Sequence, residues 1–130
     1  MNDLYTLAKD NLKNSYSPYS HFPVSAVLEL KDGRIFLGTN IENASFPLGN
    51  CAERSALFSA YSVGVRKADI RRLLIYTDHA YFVSPCGACR QVIRELMEDD
   101  AEVILANNKG ETKAFKNVEL LPFGFTGADL

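Results

Sequence analysis

The sequence predicts an α/β protein, a mixed sheet of about five strands with helices on both of its faces. Three features carry this reading. Helical spacing of apolar residues alternates with short apolar runs along the chain. Two of those runs, at 73–76 and 103–106, are nearly continuous, as central strands covered on both sides are. Lys31-Asp32-Gly33-Arg34 separates two strand-like stretches as a tight turn does.

Leu4, Leu7, Ala8 and Leu12 recur at intervals of three and four, so a first helix is expected over about 3–15. Ser17-Pro18-Tyr19-Ser20 breaks it. Residues 22–30 and 35–40 then read as the two strands of a hairpin. Asn50 is placed to cap a second helix, which carries Ala56, Leu57, Ala60 and Tyr61 on one side until Gly64 stops it. After the strand at 73–76, Ser84-Pro85 opens a third helix through about Met97, with Ser84 as cap and Pro85 preset for the first turn. The strand at 103–106, a weaker one at 112–115 and a short helix near 118–121 complete the order.

Residues 1–130 are read as one domain, of a size that buries roughly two thirds of its unfolded surface. The hydrophobic fraction of 47% and charged fraction of 23% are those of a soluble globular protein, and no apolar run nears the roughly 18 residues of a membrane span. Asp3, Lys9, Asp10 and Lys13 interrupt the N-terminal apolar positions, so this stretch lacks the uninterrupted apolar core of a signal peptide and a cytoplasmic protein is expected. A net charge of -2 argues against a polynucleotide partner, since phosphate backbones are held by clustered Lys and Arg. Arg66, Lys67, Arg71 and Arg72 form a local basic cluster, expected to be a solvated connector.

Three cysteines make a poor disulfide framework, and their positions point elsewhere. Cys86 and Cys89 sit three apart at the start of the third helix, so their sulfurs can share one metal; Cys51, at the start of the second, supplies a third sulfur if the two helix starts face each other. Positive helix ends favour thiolates. Three protein ligands leave the fourth tetrahedral position of zinc open, as in catalytic sites. A zinc with three thiolates carries one negative charge in excess, which weakens its pull on a bound water. Arg54 and Arg90 are both candidates to offset that charge. Glu53, beside the metal, is the candidate for general acid and base work.

Each feature also has a plainer reading. A lone C-x-x-C pair is often a redox pair or half of a structural zinc site. A structural site needs a fourth protein ligand, and His21 and His79, the only histidines, have no ligand-like spacing and read as surface residues. Glu53 alone is a favourable acid in a first helical turn. A lone cysteine, an acid and a cysteine pair after a gap of 34 residues outweigh these readings together.

Asn40-Ile41-Glu42-Asn43-Ala44-Ser45-Phe46, Cys51-Ala52-Glu53-Arg54 and Pro85-Cys86-Gly87-Ala88-Cys89-Arg90-Gln91 together resemble the signature of the small homotetrameric zinc-dependent cytidine deaminases, a likeness running from about Ser17 to Phe125. The resemblance implies their three-layer fold and one zinc per subunit held by Cys51, Cys86 and Cys89. It also implies hydrolysis of cytidine and 2′-deoxycytidine to uridine and 2′-deoxyuridine with release of ammonia, a step of pyrimidine salvage. In that chemistry a metal-activated hydroxide attacks cytosine C4, with a glutamate that is not a ligand, here Glu53, as proton shuttle. By the same resemblance Phe22 packs against the pyrimidine, Asn40 and Glu42 hold the ribose hydroxyls, the backbone of Ala52 contacts the base, and Arg54 offsets the thiolate charge. Phe125, or alternatively Phe123, covers a neighbouring subunit's site, which makes the assembly a homotetramer with shared sites. From the residues alone, Phe22 reads equally as a core strand residue, Asn40 as a turn residue and Glu42 as solvated.

Phe46 stands where many relatives carry tyrosine, which implies a lost hydroxyl contact between subunits. Competing functions are weaker. Asn40 and Glu42 suit an unmodified ribose rather than a modified nucleoside. Polynucleotide editors commonly use His-x-Glu and a basic groove, where this chain has Cys-Ala-Glu and no such groove. A purely structural zinc module would make Glu53 dispensable.

Overall fold

The computed structural model describes residues 2–130. Five strands, β1 (Val24–Leu30), β2 (Ile35–Thr39), β3 (Ile70–Thr77), β4 (Glu102–Ala106) and β5 (Thr112–Lys116), form one sheet in the order β2-β1-β3-β4-β5. The pairs β1–β2, β1–β3 and β4–β5 are antiparallel, and β3–β4 is parallel, so the sheet is mixed as expected. The parallel pair needs a long crossover, and the third long helix provides it.

Side-chain alternation along the strands divides the core into two layers. Leu73 and Ile75 of β3, Ala26 and Leu28 of β1, and Val103 and Leu105 of β4 pack beneath α2 (Ala52–Ser62) and α3 (Gly87–Leu96). Val27, Leu74, Tyr76 and Ile104, the alternate residues, meet Leu4 and Ala8 of α1 (Asn2–Asn11) on the opposite face. Helices therefore cover both faces, and the near-continuous apolar runs at 73–76 and 103–106 reflect burial on both sides.

Several boundaries differ from the sequence reading. The first α-helix stops at Asn11 and tightens into a 3-10 turn at Leu12–Asn14. The first strand starts at Val24, because His21 adopts φ 54 and the Asn40 side chain grips the chain on either side of Pro23. This leaves Phe22 outside the strand. β3 runs from Ile70 to Thr77, so Arg71 and Arg72 belong to the sheet: Arg72 Nε lies 2.6 Å from Glu29 Oε1 on β1, and Arg71 Nε 3.9 Å from it. Only part of the basic cluster is a connector. Gly64, at φ 97, ends α2 as expected.

The helix starts also shift. Cys51, not Asn50, is the N-cap of α2, and Cys86, not Ser84, is that of α3, where its Sγ accepts from the Cys89 backbone N–H at 3.5 Å. Both cysteines thus sit in extended backbone just before the helices, at ψ 157 and 165. The last short helix, α4 (Asn117–Leu120), begins one residue early for a reason. The buried Asn117 amide donates to the carbonyls of Ile93, Met97 and Glu98 at 3.0, 3.0 and 3.1 Å, closing the C-terminal end of α3.

Gly38 fixes where α2 begins. A Cβ there would collide with the carbonyl of Ala52 and stand 2.5 Å from the amide nitrogen of Ala56, so β2 and the first turn of α2 touch backbone to backbone. Helix backbone cannot give way cheaply. Gly38→Ala is expected to lower stability by about 1–3 kcal/mol through overpacking, read as a lower urea midpoint; an unchanged midpoint would show that the contact is slack.

Candidate active site

The starts of α2 and α3 face each other beyond the C-terminal end of β3, where ligand crevices of open α/β sheets lie. Each presents an extended cysteine followed by a first turn with free N–H groups. Cys51 Sγ lies 3.9 Å from Cys86 Sγ, and the sulfurs of Cys51, Cys86 and Cys89 all fall within 4.8 Å of one another. A tetrahedral zinc with Zn–S bonds near 2.3 Å holds its sulfurs about 3.8 Å apart. The donor set fits that ion, and among the described residues no fourth His, Cys, Asp or Glu joins the group.

The electrostatics agree with this fit. The Cys51 thiol is drawn down to about 5, first by the hydrogen bond from Cys89 and then by Arg54, whose Nη2 donates to Cys51 Sγ at 3.2 Å. Cys89, fully buried, is pushed up by giving that hydrogen bond and by burial. Cys89 therefore keeps its proton beside Cys51, and three thiolates packed this closely call for a cation among them. Arg54 is held firmly protonated by Cys51. Arg90 does not share this work: its Nε and Nη1 donate to the carbonyls of Pro85 and Leu120 at 2.8 and 2.9 Å, bracing the Cys86 turn. Glu53 is 4% exposed, and burial raises its pKa above the usual carboxylate range, with the nearby Cys51 charge adding to the rise.

Two adjoining cavities meet at Ser20, Asn40 and Cys51. The smaller, about 320 Å³, is lined by Phe22, Ala52, Glu53 and Cys86 together with Val24, Ile75 and Thr77 from the sheet. The larger, about 530 Å³, is lined by Glu42, Arg54, Tyr19 and Phe46 among others. Of the residues singled out from sequence for the site, Arg90, Phe125 and its alternative Phe123 stand apart from the sulfurs and cavities; both phenylalanine side chains are exposed. The Phe125 carbonyl accepts from Gln91 Nε2 at 2.8 Å, which fixes the tail beside α3.

Asn40 and Glu42 do more than a turn residue or a solvated acid would. Asn40 Oδ1 accepts from Val24 N at 2.9 Å and from the Ser15 hydroxyl, and Nδ2 donates to the Phe22 carbonyl at 2.8 Å. One amide N–H is left without a partner among the described residues. Glu42 Oε1 accepts from the amides of Tyr19 and Ser20 at 2.9 and 3.1 Å, and its other oxygen from the Ser20 hydroxyl; these bonds lower its pKa. The pair thus ties the 17–22 turn to the cavity wall.

Sequence reasoning missed Thr77, Ser20, Gly38 and His79. Thr77, Ser20 and His79 carry no local pattern, since the sheet register and loops bring them to the site. An isolated glycine within a strand pattern was a readable signal at Gly38. His79, expected to be an ordinary surface histidine, stacks on Phe22 with ring centroids 4.6 Å apart.

Comparison with known proteins agrees with this arrangement. Residues 1–106 match the family model described as the cytidine and deoxycytidylate deaminase zinc-binding region. A cytidine deaminase of Halalkalibacterium halodurans is 48% identical over 118 residues, covering 91% of this chain and 88% of that protein. One of Sporosarcina psychrophila is 45% identical over 123 residues, covering 95% and 89%. The crystal structure of cytidine deaminase from Burkholderia pseudomallei superposes with a TM-score of 0.91 at 42% identity, covering 95% of this chain and 98% of that one. With a family match across residues 1–106 and relatives this similar over nearly the whole chain, the protein belongs to the zinc-binding cytidine deaminase family.

Proposed function

We propose that this chain hydrolyses cytidine and 2′-deoxycytidine to the corresponding uridines and ammonia, with Cys51, Cys86 and Cys89 holding one zinc per subunit and Glu53 moving the protons. The observation that carries this reading is the meeting of three sulfurs at zinc spacing with a buried carboxyl on one small cavity. A structural zinc module would have no use for that carboxyl or for a cavity beside it.

When bound there, zinc supplies Lewis acidity to the water that attacks C4 of the base. Phe22 offers a flat apolar face to the pyrimidine, and the Ala52 backbone at the start of α2 reaches its edge. Glu53, its proton affinity raised by burial, takes a proton from the attacking water and hands it to ring N3, then carries the second water proton from the new C4 hydroxyl to the departing amine. Oxygen from water stays on C4, and the C4–N bond breaks to release ammonia. Arg54, donating to Cys51 Sγ, offsets the excess charge of the third thiolate and keeps the metal acidic. Asn40 and Glu42 line the larger cavity, and the remaining N–H of the one and the carboxylate of the other suit ribose hydroxyls.

The assembly is proposed to be a homotetramer in which Phe125 closes a neighbouring subunit's site. Phe125 is 58% exposed away from its own cavity, and Phe46 and Leu48 near the cavity mouth are 74% and 73% exposed, more apolar surface than a lone subunit needs. A cytoplasmic location is proposed with it; no helix among the described residues is long and apolar enough to cross a membrane.

The direct test follows cytidine absorbance with and without a zinc chelator. The zinc-loaded protein is expected to turn cytidine over and the stripped protein to stop, whereas Glu53→Gln should keep its zinc and lose about 10²–10⁴-fold in kcat. Wild-type turnover by Glu53→Gln would remove that residue from the mechanism. For the assembly, sedimentation should give four times the subunit mass, and Phe125→Ala should raise KM for cytidine about three- to tenfold; a monomer with wild-type KM in that variant would refute shared sites.

A further inference from the structure

The segment between β3 and the Cys86 turn carries a row of aromatic rings beside the smaller cavity. His79 stacks on Phe22, with centroids 4.6 Å apart and planes 23° from parallel, and Tyr81 flanks His79 at 5.1 Å and 37°. Phe22 lines the cavity; His79 does not. The imidazole therefore backs the Phe22 ring from outside the ligand space.

Both ends of this stack are anchored. Asn108 N donates to the His79 carbonyl at 2.9 Å, and Asn107 Nδ2 to the Ala80 carbonyl at 3.1 Å, pinning the segment to the turn between β4 and β5. Asn108 Nδ2 adds a bond to Asp78 Oδ1 at 3.2 Å. On the other side Asn40 holds the backbone of Phe22 through its carbonyl. What those bonds leave free is the rotation of the Phe22 ring about its own side-chain torsions, for Phe22 precedes β1 and is only half-buried. A stacked ring on one face removes that freedom before a ligand arrives, and ordering lost before binding is not lost again on binding.

We propose that His79 is a positioning residue, which sets the Phe22 ring in the plane that receives the pyrimidine by stacking on its outer face. The inference rests on the reading that Phe22 packs against the base. Its contribution is to binding that ground state and transition state share, so it acts on KM and leaves kcat alone. The work is done by ring stacking, so another flat ring can replace the imidazole.

Steady-state kinetics on the zinc-loaded protein with cytidine test this, using His79→Ala, His79→Phe, Phe22→Leu and the double variant. His79→Ala should raise KM about two- to fivefold at unchanged kcat. His79→Phe should restore the wild-type KM. Phe22→Leu should raise KM at least as much as His79→Ala, and adding His79→Ala to it should change nothing further, because the two act through one ring. A wild-type KM in His79→Ala beside a raised KM in Phe22→Leu would overturn the role of His79 and leave the cavity reading standing. A wild-type KM in Phe22→Leu would overturn the base contact itself. Failure of His79→Phe to restore KM, or a fall in kcat with His79→Ala, would likewise refute positioning by stacking.

Discussion

Three sulfurs within 4.8 Å of one another cannot all carry charge unless a cation stands among them, and the structure around the site is organised by that constraint. Two helix starts aim their free N–H groups at the cluster, and the Cys86 sulfur accepts one of them from Cys89. A single guanidinium, Arg54, reaches the sulfur of Cys51, the thiol drawn down to about 5. The other nearby arginine is spent on backbone carbonyls, so the positive charge next to the sulfurs is limited. That limit matters for chemistry. Three thiolates make zinc a poor acid, and one guanidinium restores part of its acidity without displacing the metal.

Holding two helix starts face to face is a problem of packing before it is one of charge. The parallel β3–β4 pair places α3 through its crossover, and Gly38 lets α2 lie directly on β2. Asn117 closes the far end of α3 through three carbonyls, and Arg90 ties its near end to Leu120. The cysteines are thereby fixed by elements that extend well away from them. Asn40 and Glu42 show the same economy on the cavity rim, since each shapes the 17–22 turn with most of its hydrogen-bonding capacity while lining the cavity. A substitution at either residue would deform the wall as well as remove a contact.

How much of this was legible depends on the range over which each signal acts. The paired strands, the two buried runs and the three long helices follow from periodicity, a property of neighbouring residues, and they appear in the expected order with their ends shifted. The metal cluster was legible because cysteine is scarce and Cys86 and Cys89 lie one helical turn apart, although Cys51 needed the fold to bring it close. Helix caps were misplaced because cysteine is not a usual cap; Asn50 and Ser84 are better cap formers by composition, yet the backbone extends through Cys51 and Cys86. Arg71 and Arg72 read as a solvated cluster because their partner Glu29 lies on another strand. His79 was invisible for a similar reason: its stacking partner is 57 residues away in the chain and meets it only through the loop anchored on Asn107 and Asn108.

A catalytic zinc at this site needs three sulfur ligands and a fourth position left to a light atom. X-ray absorption at the zinc edge of the purified protein measures that directly. Three sulfurs at about 2.3 Å and one oxygen or nitrogen at about 2.0 Å are expected, with one zinc per chain. A fit to four sulfurs, or to two sulfurs with two nitrogens, would mean that the metal is held by other residues and that the catalytic reading of this site is wrong.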